Sequence, residues 1–263
     1  MAYQHIEFEI TDGVAVLTLN RPDSLNSFNG QMHIEVRDAL KQVKTDAAVR
    51  CLLITGNGRG FCAGQDLSDR AVDPDAAMPN LGESIEKNYN PMIRSLTSLE
   101  MPVICAVNGV AAGAGANIAL ACDIVLASKS ASFIQAFCKI GLIPDSGGTW
   151  TLPRAVGLPR AMALSLLGDK LSAEQAEQWG MIWKTYEADE LKAAALSMAK
   201  QLATQPTQGL ALIKRALQAS ATNSFDEQLD LERDLQTLAG QTEDYREGVS
   251  AFMAKRAPHF QGK

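Results

Sequence analysis

The sequence predicts an α/β fold built on a buried parallel sheet and followed by an all-helical C-terminal block. Three observations carry this. From residue 1 to about 200, short β-branched runs alternate with helical patterns. Leu52-Leu53-Ile54 and Val103-Ile104-Cys105-Ala106-Val107 are apolar at consecutive positions, the mark of strands covered on both faces. Beyond residue 200 the pattern is helical only. Strands separated by helices imply right-handed crossovers in one layered core.

In chain order, Met1 to Ile10 alternates like a strand, and Val14–Leu19 follows as a second. Cys51–Thr55, Val103–Val107, Asp123–Ala127 and Ser132–Phe137 are the next strands, each stopped by Gly, Asn or Ser. Asp69 to Asn80 is polar, holds Pro74 and Pro79 and lacks periodicity, which predicts a long loop. Leu210, Ile213 and Leu217 share one helix face. Ser224 with Glu227 forms a capping-box signature before a helix that Gly240 could end. A last helix runs from Tyr245 to about Arg256, before Pro258. The division is residues 1–200 as core and 201–263 as a helical region that serves as an oligomerisation or lid element, or simply packs back onto the core.

Composition narrows the function classes. The 263 residues are 46% hydrophobic with net charge -6, enough for a full core and unfavourable for nucleic acid or an anionic membrane surface. No apolar run approaches the roughly 18–20 residues that span a bilayer, and no leader precedes the first strand. Cys51, Cys62, Cys105, Cys122 and Cys138 are odd in number and scattered, as reduced core thiols of a cytoplasmic protein would be. His5, His33 and His259 lack metal-ligand spacing, so no metal is expected.

Three glycine-bearing segments are the candidate site. Gly58 to Leu67 follows the strand Cys51–Thr55. Asn108 to Asn117, with Gly109, Gly113 and Gly115, follows Val103–Val107 and opens an apolar helix. Gly141 to Thr149 contains Asp145 and Gly147-Gly148. Ligands of α/β folds bind beyond the carboxyl ends of strands, where the first two segments fall. Glycine lets the chain turn with positive φ and lets backbone N–H groups approach a ligand, and at a helix start those groups lack intrahelical acceptors. Neither the dinucleotide fingerprint nor a P-loop is present. The bland alternative is glycine serving helix-on-sheet packing alone.

Phe61-Cys62-Ala63-Gly64-Gln65-Asp66-Leu67, Ala106-Val107-Asn108-Gly109 with its glycine-rich helix start, and Gly141 to Thr149 together resemble the enoyl-CoA hydratase/isomerase (crotonase) superfamily. Arg21-Pro22 with Leu25-Asn26, Leu171 to Ala176 and Glu247 to Phe252 extend the likeness over nearly the whole chain. The resemblance implies a spiral of ββα turns and C-terminal helices that pack trimers, often paired into hexamers. It implies an acyl-CoA substrate, with CoA as part of that substrate and no separate cofactor. Two backbone N–H groups would bind the thioester oxygen, those of Gln65 and Ala114. Contacts to the substrate or its CoA would come from backbone around Ala63, Gln65 and Leu67, from Gly113, and from Phe252 and Lys255, the last two across a subunit boundary. A basic residue used for CoA phosphates in some members corresponds to Asp23, so that contact should be absent.

The departures are informative. At the two glutamate positions that hydratases of the superfamily use on water, this chain has Asn117 and Phe137, both counted here among the substrate-facing residues. Neither can exchange a proton as hydration requires. Asp145 remains, and one base that removes a proton and returns it elsewhere suffices for a 1,3-shift. Its alternative role is to cap the helix starting near Gly147. Asp66 and Asp123 are read as structural, and Glu83 and Glu86 as solvent-exposed. The residues are most similar to the isomerase branch that serves aerobic phenylacetate degradation, implying conversion of ring-1,2-epoxyphenylacetyl-CoA to oxepin-CoA and movement of Δ3 double bonds to Δ2. A general enoyl-CoA isomerase or hydratase-like enzyme, and a non-catalytic acyl-CoA binder, remain open.

Overall fold

The computed structural model describes residues 3–70 and 80–263. Most of the expected loop from Asp69 to Asn80 lies outside the described residues.

The first strands are β1 (Ile6–Thr11) and β2 (Val14–Leu19), an antiparallel hairpin. Asp12 and Gly13 turn it with φ of 53° and 76°, the left-handed pair that matches strand twist in a two-residue turn. Helix α1 (Gly30–Thr45) starts at Asn29, whose side chain accepts from the N–H of Met32. Three ββα turns follow. The first is β3 (Cys51–Gly56), β4 (Gly60–Cys62), and a helix in two parts, α2 (Leu81–Ser84) and α3 (Asn90–Ser98), joined by a π-helical turn at Ile85–Tyr89. The second is β5 (Val103–Val107), β6 (Val110–Ala112) and α4 (Ala114–Leu120). The third is β7 (Ile124–Ser128), β8 (Ser132–Ile134), a 3₁₀ turn at Ala136–Ile140, and α5 (Gly148–Val156). Then come α6 (Leu158–Leu167), β9 (Lys170–Ser172), α7 (Ala173–Gln178), β10 (Lys184–Tyr186) and α8 (Leu191–Ala203).

The first strand of each turn enters a six-stranded sheet, β1-β2-β3-β5-β7-β10, parallel except for β1. The second strand enters a smaller sheet, β4-β6-β8-β9, parallel except for β9. The strands β3 and β5 are covered on both faces, as their apolar runs predict. Cys51, Leu53, Ile104 and Ala106 meet Leu191, Ala195, Ala199 and Ala203 of α8. Leu52, Ile54, Val103, Cys105 and Val107 point the other way into the main core. The four-residue spacing along α8 keeps one face on the sheet, and its alanines permit close approach.

The strand expected over Ser132–Phe137 is shorter, ending at Ile134. Ile134 pairs with Ala112, the last residue of β6, so pairing stops there and Phe137 falls in the 3₁₀ turn. The first strand begins at Ile6 because it pairs with Leu19, the end of β2.

The remaining helices are α9 (Thr207–Ala219), α10 (Phe225–Ala239) and α11 (Glu243–Met253). The capping box forms as expected: the Ser224 hydroxyl accepts from the Glu227 N–H, and Glu227 accepts from the Ser224 N–H. Gly240 ends α10 but with φ −66°, so its freedom to adopt positive φ is unused. Helix α11 is capped by Thr242 and starts two residues earlier than the sequence suggests. Arg50, just before β3, donates to Thr207 Oγ1, Gln205 O and Phe260 O. Lys214 of α9 donates to Asp123, just before β7. Helix α9 and the chain end thus lie along the amino ends of the strands, opposite the glycine segments. Ile213 and Leu217 are exposed, so that helix face does not fold back onto the core.

Candidate active site

Backbone contacts lock the first two glycine segments together. A methyl added at Gly64, where φ is 89°, would come within 2.9 Å of Ala112 O and 3.3 Å of Ala114 N. One at Gly115 would meet Cys62 O at 2.2 Å, and one at Gly109 would meet Arg59 O at 2.2 Å. These glycines are therefore required by close approach of main chain to main chain. The segment Ala63–Asp66 runs extended beside Phe28: Phe28 N–H donates to Gly64 O, and Asp66 N–H donates to Phe28 O. Because successive groups of an extended chain alternate in direction, the N–H of Gln65 points to the opposite edge. Ala114 is the first residue of α4, after Gly113 with φ 55° and ψ −128°. Its N–H has no intrahelical acceptor by position and carries the positive end of that turn.

Struts from the N-terminal region hold this arrangement. Arg21 Nη2 pairs with Asp66 at 2.9 Å, and Ala63 N–H donates to Leu25 O. Asn26, fully buried with φ 56°, donates to Asn57 O and Gly60 O and accepts from Arg21 N–H. The Arg-Pro and Leu-Asn signatures thus fix the loop before the site. The Ser68 hydroxyl, with the Arg21 guanidinium, holds the Asp66 carboxyl below the usual range, so Asp66 is an ion-paired strut. Asp123 is likewise structural, bonded to Val103 N–H and Lys214; burial raises its pKa against the pull of that ammonium. Burial pushes the Cys62 thiol up to about 12, which leaves it neutral beside the site. Glu83 and Glu86 face solvent, the latter paired with Arg94.

The third segment is tied to the second by Asn117. This side chain is fully buried and donates through Nδ2 to Asp145 O at 2.8 Å. Its Oδ1 accepts from Gln135 Nε2 at 2.8 Å. A methyl added at Gly148 would lie 2.2 Å from Asn117 Nδ2, so the second glycine of the pair gives the amide its space. Asp145 does not cap α5: the N-cap is Gly147, without a side-chain cap bond. The Asp145 carboxylate is half-buried and accepts from the Ser146 hydroxyl at 2.9 Å, while its carbonyl accepts from Gly148 N–H. Phe137 is buried, with its ring toward Gly113.

Ala63, Gln65, Gly113, Ala114, Asn117, Phe137 and Asp145 therefore belong to one cluster. Leu67 is at its rim, 57% exposed. Phe252 is 82% exposed near the end of α11, and Lys255 turns just past it with φ 53°. Helix α11 is strapped by Asp244 to the N–H groups of Gln261 and Gly262, on the Arg50 side. Phe252 and Lys255 are not brought to the glycine segments by their own chain. Sequence reasoning missed Tyr89, whose hydroxyl donates to Gln65 Oε1 at 3.0 Å beneath Phe28 and His33. It also missed the role of Gln135; a lone polar residue in an apolar strand end was the available signal. Among the described residues, no group of three His, Cys, Asp or Glu could hold a metal ion, and no helix is long and apolar enough to cross a membrane.

The enoyl-CoA hydratase/isomerase family model matches residues 9–263, almost the whole chain. The chain belongs to the enoyl-CoA hydratase/isomerase family. Among its relatives, the 1,2-epoxyphenylacetyl-CoA isomerase of Escherichia coli (strain K12) is 61% identical over 254 residues, covering 97% of each chain. A trans-2-decenoyl-[acyl-carrier-protein] isomerase of Streptococcus mutans is 38% identical over 265 residues, covering 100% of each. An enoyl-CoA hydratase/isomerase structure from Cupriavidus metallidurans CH34 superposes with TM-score 0.92 at 33% identity, covering 100% of this chain and 98% of that one. Family membership accounts for the two-sheet spiral.

Proposed function

We propose that this family member is an acyl-CoA isomerase that converts ring-1,2-epoxyphenylacetyl-CoA to oxepin-CoA and shifts Δ3 double bonds to Δ2 in phenylacetate breakdown. The 61% identity to the E. coli isomerase supports the substrate. The observation that carries the chemistry is the Asn117 bridge: one of the two hydratase acid positions is spent as a strut on the Asp145 loop. The other is the Phe137 ring. Among the described residues of the cluster, Asp145 is then the carboxylate that serves the site.

In this reading the N–H groups of Gln65 and Ala114 bind the thioester oxygen. Developing enolate charge is stabilised there, and one such donor is typically worth ~3–4 kcal/mol of barrier. Asp145 takes a proton from C2 of a 3-enoyl ester and returns it at C4, which moves the double bond with no net gain or loss of atoms. For the ring epoxide, the same stabilisation at the thioester oxygen supports rearrangement to the seven-membered ring. Backbone at Ala63, Leu67 and Gly113 lines the path of the thioester and CoA. Phe252 and Lys255 would reach CoA from a neighbouring copy, in a trimer or hexamer whose contacts cover the exposed face of α9. Coenzyme A enters as part of the substrate, and the chemistry requires no further cofactor or metal.

The test is turnover of a 3-enoyl-CoA by the native protein beside Asp145→Asn, in deuterated water with mass detection. Conversion with deuterium incorporation in the native protein, abolished in the variant at near-normal ester affinity, supports the reading. Near-native turnover by Asp145→Asn would sink it.

A further inference from the structure

Ser146 is unusual in three independent ways. Its side chain is fully enclosed, at 2% exposure. Its φ is 51°, a left-handed conformation that a non-glycine residue adopts at a cost of roughly 1–2 kcal/mol. Its hydroxyl donates to Asp145 Oδ1 at 2.9 Å. Glycine follows directly at Gly147 and Gly148, yet serine occupies the strained position between Asp145 and Gly147. Strain of this kind persists only where the surroundings over-determine it, and it concentrates at functional sites.

We propose that Ser146 is a positioning residue for the Asp145 base: its strained backbone aims the hydroxyl at Oδ1 and so fixes the plane of the carboxylate against the substrate. This rests on Asp145 acting as the base. Two braces then hold the acid from opposite ends, Asn117 on its carbonyl and Ser146 on its carboxylate. The hydroxyl is a neutral donor, so it favours the charged, proton-accepting form without placing a cation in the site.

Among the described residues, the elements packed around this loop leave that hydroxyl few ionisable competitors. Helix α4, Ala114–Leu120, contains no ionisable side chain. The 3₁₀ turn contributes Cys138 and Lys139. In α5, Arg154 is stacked on Trp150 and bonded to its carbonyl. On the α3 side, next to Gly147 through Ile93, Arg94 is paired with Glu86.

The experiment compares Ser146→Gly and Ser146→Ala with the native protein in the pH dependence of kcat/KM for a 3-enoyl-CoA, alongside thermal unfolding. Both variants lack the donor, but only glycine relieves the strained φ. Loss of the donor lets the base protonate more readily as pH falls, so the acid limb should move to higher pH by about one unit in both. Ser146→Gly should unfold at or above the native temperature. A limb that stays in place in both variants overturns the proposal, whether rates are native or uniformly lowered. Asp145→Asn separates the two readings: if it retains turnover, the base assignment itself fails. If it is inactive while the Ser146 profiles overlay the native one, only this inference falls.

Discussion

Replacing Asn117 with leucine, which has the same number and branching of side-chain heavy atoms but no polar group, would test the brace between the second and third segments. The perturbation removes the donor to Asp145 O and the acceptor for Gln135 Nε2, both at 2.8 Å. The Asp145 carbonyl keeps Gly148 N–H as a donor, so that loss is the ordinary net value of a hydrogen bond, about 0.5–1.5 kcal/mol. Gln135 fares worse. Its Oε1 already lacks a hydrogen-bond partner, and the substitution strands Nε2 as well in a residue only 4% exposed. Leaving such a buried donor unmet costs about 1–3 kcal/mol. The sum is about 1.5–4.5 kcal/mol, which for a domain of this size lowers the unfolding midpoint by roughly 3–18 °C. Freed from its brace, the Asp145 loop can drift by an ångström, a displacement worth about a hundredfold in rate. Circular dichroism melts and steady-state kinetics on a 3-enoyl-CoA measure both quantities. We expect kcat to fall steeply with KM little changed. A native midpoint together with native kcat would refute the brace.

Gly64→Ala should cost more than the 1–2 kcal/mol of left-handed strain alone, because its methyl would strike Ala112 O, and it should reduce kcat with the fold retained; melts and kinetics on one preparation show this. Ser224→Ala removes the capping box of α10 and should lower stability by about 1 kcal/mol in denaturant titration, without changing kcat. The Arg256 guanidinium, aided by His259 N–H, holds the Glu247 carboxyl down at about 2, from an ordinary 4.5. A lowered folded-state value means this contribution is present above about 4.5 and fades as pH falls toward 2. Glu247→Gln should therefore flatten the acid side of the stability curve in that window while leaving the slope above pH 5 unchanged.

Much of this architecture was legible because burial leaves a compositional trace. β2 and β5 carry the bounds their apolar runs predict, and Ser224 with Glu227 declares the start of α10. β6, β9 and β10 are three residues each, too short for alternation to register, and exist only through their neighbours in a sheet. At the site, Gly64, Gly109 and Gly115 announced themselves, since close backbone approach admits no side chain there, and Gly113 did so through its positive φ. Asn117 did not. An amide between Ala116 and Ile118 reads equally as a substrate-orienting group or a bland helix residue, and its bonds to Gln135 and Asp145 O show only in the fold. Ser146 is the extreme case, since the sequence bears no mark of its positive φ. Phe252 and Lys255 entered through resemblance alone, and their own fold leaves them facing outward.

The brace formed by Asn117 also bears on how an activity of this kind can change over evolutionary time. Introducing glutamate at position 117 does not simply add an acid to a vacant place. It substitutes a charged acceptor for the amide that supports Asp145 O, and sets two oxygen-bearing groups against each other in a dry interior. Hydration chemistry here is therefore separated from isomerisation by a step that first harms the existing function. A viable route would have to alter residue 117, Gln135 and the Asp145 loop in concert, so these sites should tolerate mutation as a set and not one at a time.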